Sequence, residues 1–236
     1  IYDKKNEEFL KNPPVGKDLL RWKYQRYVKE YCRTIRSVDE QVGRLLDYLE
    51  EKGVLDNTVI VYTSDQGFLL GEHGLYDKRF MYEESFRTPL IISCPSLVKK
   101  HSVCKELVQN IDLAPTFLSL AGVEVPKEMS GRSLLPLFKN GKAENWRNEL
   151  YYHFYDYPAV GSVRKHDGIR TKRYKLIHWY GEGSGNDEAI DFWELYDLKK
   201  DVMEVNNVYD NPKYVKVREA LTVQLEKLRK DVGVTE

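Results

Sequence analysis

From Lys17 to Lys52, apolar side chains recur at helical spacing, at Tyr24, Tyr27, Val28, Tyr31, Ile35, Val38, Val42, Leu45, Leu46 and Leu49. That period lays one apolar stripe along a rod and predicts a long amphipathic helix. Pro13 and Pro14 precede it and Gly53 follows it, the usual asymmetry of helix ends. After Asp56-Asn57 the pattern changes. Thr58-Val-Ile-Val-Tyr62 is β-branched and aromatic without polar alternation, as in a strand covered on both faces of a parallel sheet. Pro89-Leu-Ile-Ile-Ser-Cys-Pro95 repeats that texture, bounded by prolines that cannot donate to a ladder. Asn110 to Gly122 reads as a short helix closed by glycine, with Pro115 in its first turn. Helix followed by strand is half of a parallel α/β repeat.

From about Trp146 the texture is aromatic. Glu149 to Tyr155, Gly168 to Tyr180 and Phe192 to Asp197 alternate in part and are separated by Gly, Asn and Asp clusters, which predicts a small antiparallel sheet. Pro212 to Asp231 carries Val217, Leu221, Leu225 and Leu228 on one stripe and predicts a helix packed across one face of that sheet. The expected division is residues 1–145 as an α/β core and 146–236 as a sheet-plus-helix subdomain.

Composition narrows the partners. The 236 residues hold 37 basic and 37 acidic side chains, so no bulk field attracts nucleic acid or an anionic membrane, and an anionic substrate must be held by local groups. Cys32, Cys94 and Cys104 are too scattered for a disulfide framework or a zinc cluster. No apolar run approaches the roughly twenty residues of a membrane span. The opening Ile-Tyr-Asp-Lys-Lys-Asn has neither an initiator Met nor a signal-peptide pattern, and the expectation is a piece of a longer protein.

The candidate chemistry sits where the first strand ends, in Ser64-Asp-Gln-Gly67, followed by Gly71-Glu-His-Gly74 and Asp77-Lys78-Arg79. Ligands of α/β sheets bind past the carboxyl ends of strands. A carboxylate beside an amide oxygen suits a hard divalent cation and is a poor zinc set. His73, between glycines in a polar loop, is read as a substrate-orienting group, with a surface hydrogen bond as the alternative. Glu83, Glu84 and Arg87 read as local ion pairs holding the loop on the second strand, and His153 and His178 as packed or hydrogen-bonded residues.

These motifs, taken in order, resemble the sulfatase family within the alkaline-phosphatase-like superfamily. The residues that carry the resemblance are Ser64-Asp65-Gln66-Gly67, Gly71-Glu72-His73-Gly74, Lys78, Tyr82-Glu83 and Arg87-Thr88-Pro89-Leu90, followed by Asp112-Leu113-Ala114-Pro115-Thr116, Gly131-Arg132-Ser133-Leu134 and Glu194-Leu195-Tyr196-Asp197-Leu198. The closest likeness is to glucosamine-6-sulfatase and iduronate-2-sulfatase type enzymes. The resemblance implies part of an alkaline-phosphatase-like mixed sheet flanked by helices, then the antiparallel subdomain. It further implies that Asp65 and Gln66 bind calcium, that Lys78 holds the sulfate, and that His166 with neighbouring Arg164, in Ser162-Val-Arg-Lys-His166, meets a sulfated sugar. A secreted, periplasmic or lysosomal setting is the family habit.

The family's nucleophile, a formylglycine made within Cys/Ser-x-Pro-x-Arg, has no counterpart here; Cys94-Pro95-Ser96-Leu97 has its proline one place early and lacks the arginine. The resemblance therefore implies a carboxyl-terminal portion, inactive alone, whose amino-terminal half supplies the nucleophile and further metal ligands. Two alternatives stay open: a phosphatase or phosphodiesterase of the same superfamily, and a binding protein that kept the fold without catalysis.

Overall fold

A computed structural model describes residues 7–76, 78–158, 163–185 and 187–234; Asp77 and Ser162 lie outside the described residues. Two compact units divide the chain, one of residues 1–58 with 68–77 and the other of residues 59–67 with 78–236.

In the first unit, helix α1 (Glu7–Lys11) precedes α2 (Gly16–Glu51), the long helix that the apolar period predicts. Phe9 stacks on Trp22 with ring centroids 4.3 Å apart. At the other end Gly53 takes φ 66° and its N–H caps the Glu50 carbonyl at 2.8 Å, a left-handed cap that costs glycine nothing. Tyr27 meets Phe68 and Tyr76 at 6.3 and 5.2 Å, which sets the Gly71 to Tyr76 loop on the helix.

The second unit contains two sheets. Strand β1 (Ile60–Thr63) pairs with β2 (Leu90–Ser93), and between them lies the short helix α3 (Glu83–Phe86). The pairing is antiparallel, Ile60 opposite Ser93 and Thr63 opposite Leu90, which corrects the parallel repeat expected from the sequence. A continuous apolar run reports burial and carries no information on strand direction. Nor is β2 buried on both faces: Leu90 and Ile92 pack into the cluster of Leu134, Leu137 and Phe138, whereas Ile91 is 63% exposed.

That cluster comes from Leu134 and α5 (Leu135–Phe138), and Leu113 and Leu120 of α4 (Leu113–Leu120) pack against it. Their junction is held by Asp112, fully buried, whose carboxylate accepts from Arg132 N and Gln109 N at 2.8 Å and from both terminal nitrogens of Arg147. Thr116 Oγ donates to the Asp112 carbonyl and accepts from Leu134 N at 2.8 Å. A Cβ on Gly131 would lie 1.9 Å from the Ile111 carbonyl oxygen, so the Asp112 and Gly131 motifs form one packed joint.

The second sheet runs β3 (Glu149–Phe154), β4 (His166–Thr171), β5 (Tyr174–Gly181), β6 (Ile190–Asp197) in sequence order, all antiparallel. The Gly168 to Tyr180 segment breaks into a hairpin at Lys172-Arg173, where Thr171 Oγ accepts from Tyr174 N at 2.9 Å. Because side chains alternate across a strand, Ile169, Leu176 and Leu195 fall on one face. There they meet Leu221 and Leu225 of α6 (Val215–Asp231), as the terminal stripe predicts. Arg229 of the same helix reaches Asp167, 1% exposed, at 2.5 and 2.6 Å. The opposite face carries His166, Gly168, Lys175 and Trp179 and is covered by residues 79–86. An antiparallel sheet buried on both sides explains why β4 and β5 alternate only in part.

Leu225 is fully buried under this sheet. Leu225→Ala leaves a cavity there and is expected to lower unfolding free energy by about 3 kcal/mol, read from urea denaturation.

Candidate active site

The chain leaves β1 through Ser64 and turns on its own side chains. Asp65 Oδ1 accepts from Gln66 N at 2.9 Å and Ser64 Oγ donates to the Gln66 carbonyl at 2.8 Å. Asn110 fixes the turn from the second motif: its Nδ2 donates to the Asp65 carbonyl at 2.8 Å and lies 3.3 Å from that of Ser64. Asp65 is exposed and Gln66 half-buried. Backbone bonds thus hold the turn while the second carboxylate oxygen of Asp65 stays without a partner among the described residues.

Lys78 is tied to this turn through Ser85. Ser85 Oγ donates to the Lys78 carbonyl at 2.5 Å, and Gly67 N donates to the Ser85 carbonyl at 2.7 Å. The strand end and the lysine are therefore two hydrogen bonds apart along a buried serine that is 3% exposed. Gly67 is obligatory here, because a Cβ would sit 2.0 Å from the Glu84 carbonyl oxygen.

The segment from Lys78 to Phe86 is in turn fastened to the second sheet. Tyr152 OH donates to the Arg79 carbonyl at 2.8 Å, Lys175 Nζ to that of Met81 at 2.7 Å, and Glu83 N to Glu204 Oε2 at 2.6 Å. Tyr82 OH donates to Glu194, which also accepts from Trp179 Nε1 at 2.9 Å. Lys175 is fully buried and ion-paired with Glu83 at 2.9 Å and Glu204 at 2.6 Å, the latter without hydrogen-bond alignment at that oxygen. Burial raises the carboxyl of Glu83, but Lys175 and Arg170 outweigh it and hold that group below its usual range. Burial prevails at Glu204 and pushes it up against the pull of Lys175. The local ion pairs expected for Glu83 are replaced by this pairing across the fold, Arg170 included at 3.2 Å. Arg87 is exposed instead.

His73 belongs to the first compact unit, in a 3-10 turn of Glu72–Gly74, with φ 54°. Arg164 lies 4.7 Å over the Tyr157 ring, pairs with Asp187 at 3.5 Å and donates to the Glu188 carbonyl. His166 is fully buried, stacked on Trp179 at 4.1 Å, with Phe154 and Tyr152 within 5.6 and 5.4 Å. Its Nδ1 lies 2.8 Å from the Arg164 carbonyl, while Nε2 is buried with no hydrogen-bond partner among the described residues. Burial lowers its pKa to about 4, so the ring is neutral at pH 7. His153 and His178 are packed and bonded, to Tyr180 OH at 2.7 Å and Asp191 at 2.9 Å. Cys94, in the decoy motif, is buried with its sulfur 3.6 Å from Ser96 Oγ.

Comparison with known proteins settles the lineage. Residues 2–123 match the family model described as Sulfatase, and residues 71–231 match N-sulphoglucosamine sulphohydrolase, C-terminal. The chain belongs to the sulfatase family. It is 50% identical to an N-acetylglucosamine-6-O-sulfatase of Bacteroides thetaiotaomicron over 97% of its own length and 40% of that protein. It is 35% identical to a multifunctional alkaline phosphatase superfamily protein of Trinickia caryophylli, covering 78% of this chain and 36% of that one. A structure solved with its substrate, D-glucosamine-2-N,6-O-disulfate, superposes with TM-score 0.91 at 49% identity, over 100% of this chain and 47% of that one. The chain spans less than half the length of these relatives. The α/β fold of alkaline-phosphatase type is thereby established.

Several sulfatase landmarks prove to be joints of this geometry. Tyr82 meets Glu194, the first residue of the Glu194-Leu195-Tyr196-Asp197 motif, and Asp197 takes a bidentate pair from Arg173 at 2.9 and 2.8 Å. No sequence motif marks Lys175, Glu204, Ser85 or Asn110 as part of this arrangement. Lys175 had a signal: strand alternation puts it on the same face as Ile177 and Trp179, where an unpaired charge is untenable.

Lys175→Ala leaves Glu83 and Glu204 enclosed with one fewer cation and is expected to cost about 3–5 kcal/mol. Lys175→Met combined with Glu204→Gln should recover most of that loss, both read from urea unfolding. His166 predicts a pH effect of defined sign. Its folded pKa of about 4 lies below the ordinary 6.5, so between these values the unfolded chain binds a proton that the folded chain does not. Stability is full above about pH 6.5 and falls by on the order of 3 kcal/mol as the pH drops to about 4. His166→Phe should flatten that portion of the stability profile.

Proposed function

We propose that the protein containing this chain hydrolyses the sulfate ester of a glucosamine-type sugar, with the 6-O-sulfate as target. The 50% identity to an N-acetylglucosamine-6-O-sulfatase across nearly the whole chain carries this reading. The solved relative bound to a disulfated glucosamine supports it. In this reading residues 1–145 form part of the catalytic α/β core and residues 146–236 the subdomain that braces it.

Asp65 and Gln66 are the metal ligands of the proposal. Their fit to calcium rests on donor chemistry: one carboxylate with an oxygen still without a partner among the described residues, and one neutral amide, both hard. Two ligands fall short of the six to eight oxygens calcium takes. Among the described residues no group of three or more His, Cys, Asp or Glu side chains is arranged to hold a metal ion. The remaining ligands and the formylglycine are therefore assigned to the part of the protein outside this chain, and the chain alone is expected to be inactive. A calcium ion held by Asp65, Gln66 and those further ligands would supply Lewis-acid polarisation of the sulfate oxygens.

Lys78 binds an oxygen of the same sulfate. A compact ammonium beside the ester stabilises negative charge as the S–O bond breaks. Ser85 and Gly67 tie the Lys78 backbone to the strand end, which supports this reading. His73, Arg164 and His166 remain the proposed substrate-contacting residues. For Arg164 and His166 the role requires that their present contacts, Tyr157 with Asp187 and the aromatic box, loosen around a bound sugar.

The likeness to a multifunctional alkaline phosphatase superfamily protein keeps phosphoryl transfer as the second reading. Measured on the whole protein that contains this chain, sulfate release from N-acetylglucosamine 6-sulfate, against phosphate release from an aryl phosphate, separates the two. Turnover of neither, with calcium bound, identifies a non-catalytic relative. Lys78→Ala is expected to lower kcat by on the order of 100- to 1,000-fold while shifting the unfolding midpoint little, measured by sulfate release and thermal denaturation. Equal turnover in the variant removes Lys78 from the mechanism.

A further inference from the structure

A cavity of about 360 Å³ opens where the β4–β5 hairpin turn meets the segment after β6, lined by Arg87, Arg170, Lys172, Arg173 and Lys199 together with Glu83. The whole chain is neutral, so five cations around one opening are a local concentration. Three of them are compensated within the fold. Arg170 pairs with Glu83 at 3.2 Å, Lys172 with Glu106 at 2.6 Å and Arg173 with Asp197 at 2.8 Å. Arg87 and Lys199 are exposed and have no ionic partner among the described residues. All the lining residues belong to one compact unit.

We infer that this cavity binds an oxyanion, presented as a sulfate or carboxylate group by a sugar unit of a sulfated glycan. The chemistry follows from the lining. A guanidinium offers a planar fork of N–H donors matched to sulfate or carboxylate, and Lys199 adds a compact charge that adapts to either. The paired arginines are not idle, because each has N–H groups beyond those its carboxylate takes. The volume lies at the small end of ligand sites, a space for one charged sugar unit rather than for a strand or helix of a protein. Two uncompensated charges held beside three compensated ones form a positive focus in a partly enclosed space, where attraction for an anion exceeds that at an open surface. The oxyanion preference rests on the cavity alone; its glycan source rests on the sulfatase reading above.

The test is isothermal titration of the protein, and of its Arg87→Gln/Lys199→Gln double variant, with a multiply sulfated glucosamine oligosaccharide, its desulfated counterpart and inorganic sulfate. The sulfated oligosaccharide is expected to bind at least tenfold more weakly to the double variant. Its affinity for the parent should fall as salt rises, and the desulfated sugar should show no such difference. Both substituted residues are exposed, so an unchanged thermal midpoint confirms that the variant is folded. Equal affinity in parent and variant overturns the inference. Inorganic sulfate binding as well as the oligosaccharide overturns the glycan source. Heat of binding is read whether or not the protein turns over a substrate. Charge-dependent binding without hydrolysis would therefore sink the catalytic reading and leave this one standing.

Discussion

The buried ammonium of Lys175 is the point on which the architecture turns. It sits on the face of β5 away from α6, and it meets the Met81 carbonyl, Glu83 and Glu204 at once. Transfer of such a charge out of water is expensive unless every donor is matched, so the three partners must arrive together. They come from the segment carrying Lys78 and from the turn after β6. The charge therefore specifies how these pieces meet, where an apolar contact of equal area would tolerate sliding. Ser85 transmits that specification to Gly67 and the end of β1. The end of β1 in one sheet is held in place by the interior of another.

Much of the fold was legible in the sequence. The long helix appeared at residues 16–51 because its apolar period is sustained over many turns, and Gly53 marked its end. The aromatic segments became strands, and the stripe at Leu221 and Leu225 found the sheet face opposite Lys175. Strand direction was not legible. Val59 to Tyr62 reads the same whichever way its neighbour runs, and β2 returns antiparallel through the segment that carries Lys78. The hairpin at Lys172-Arg173 was equally hidden, because apolar and charged residues of β4 and β5 run together when both faces are covered.

The candidate site was legible in part. The order of motifs marks Asp65, Gln66 and Lys78 as candidates, and the structure puts the first two on one turn with the Lys78 backbone tied to it through Ser85. The supports were not legible, because they come from far along the chain: Asn110 from the second motif, Lys175 and Glu204 from the subdomain. Glu83 shows the reason. Read locally it is one more acidic residue beside Glu84 and Arg87, yet its partners lie near residues 170, 175 and 204. Long-range pairing leaves no periodic trace.

Asp112 carries a consequence of a different kind. Its two oxygens face four N–H groups and nothing else. An amide of the same shape would turn an NH₂ toward two of those donors, hydrogen against hydrogen, in a place no water reaches. The joint between the Asp112 and Gly131 motifs thus selects for an anion and is indifferent to outline, so the nearest isostere is among the worst replacements.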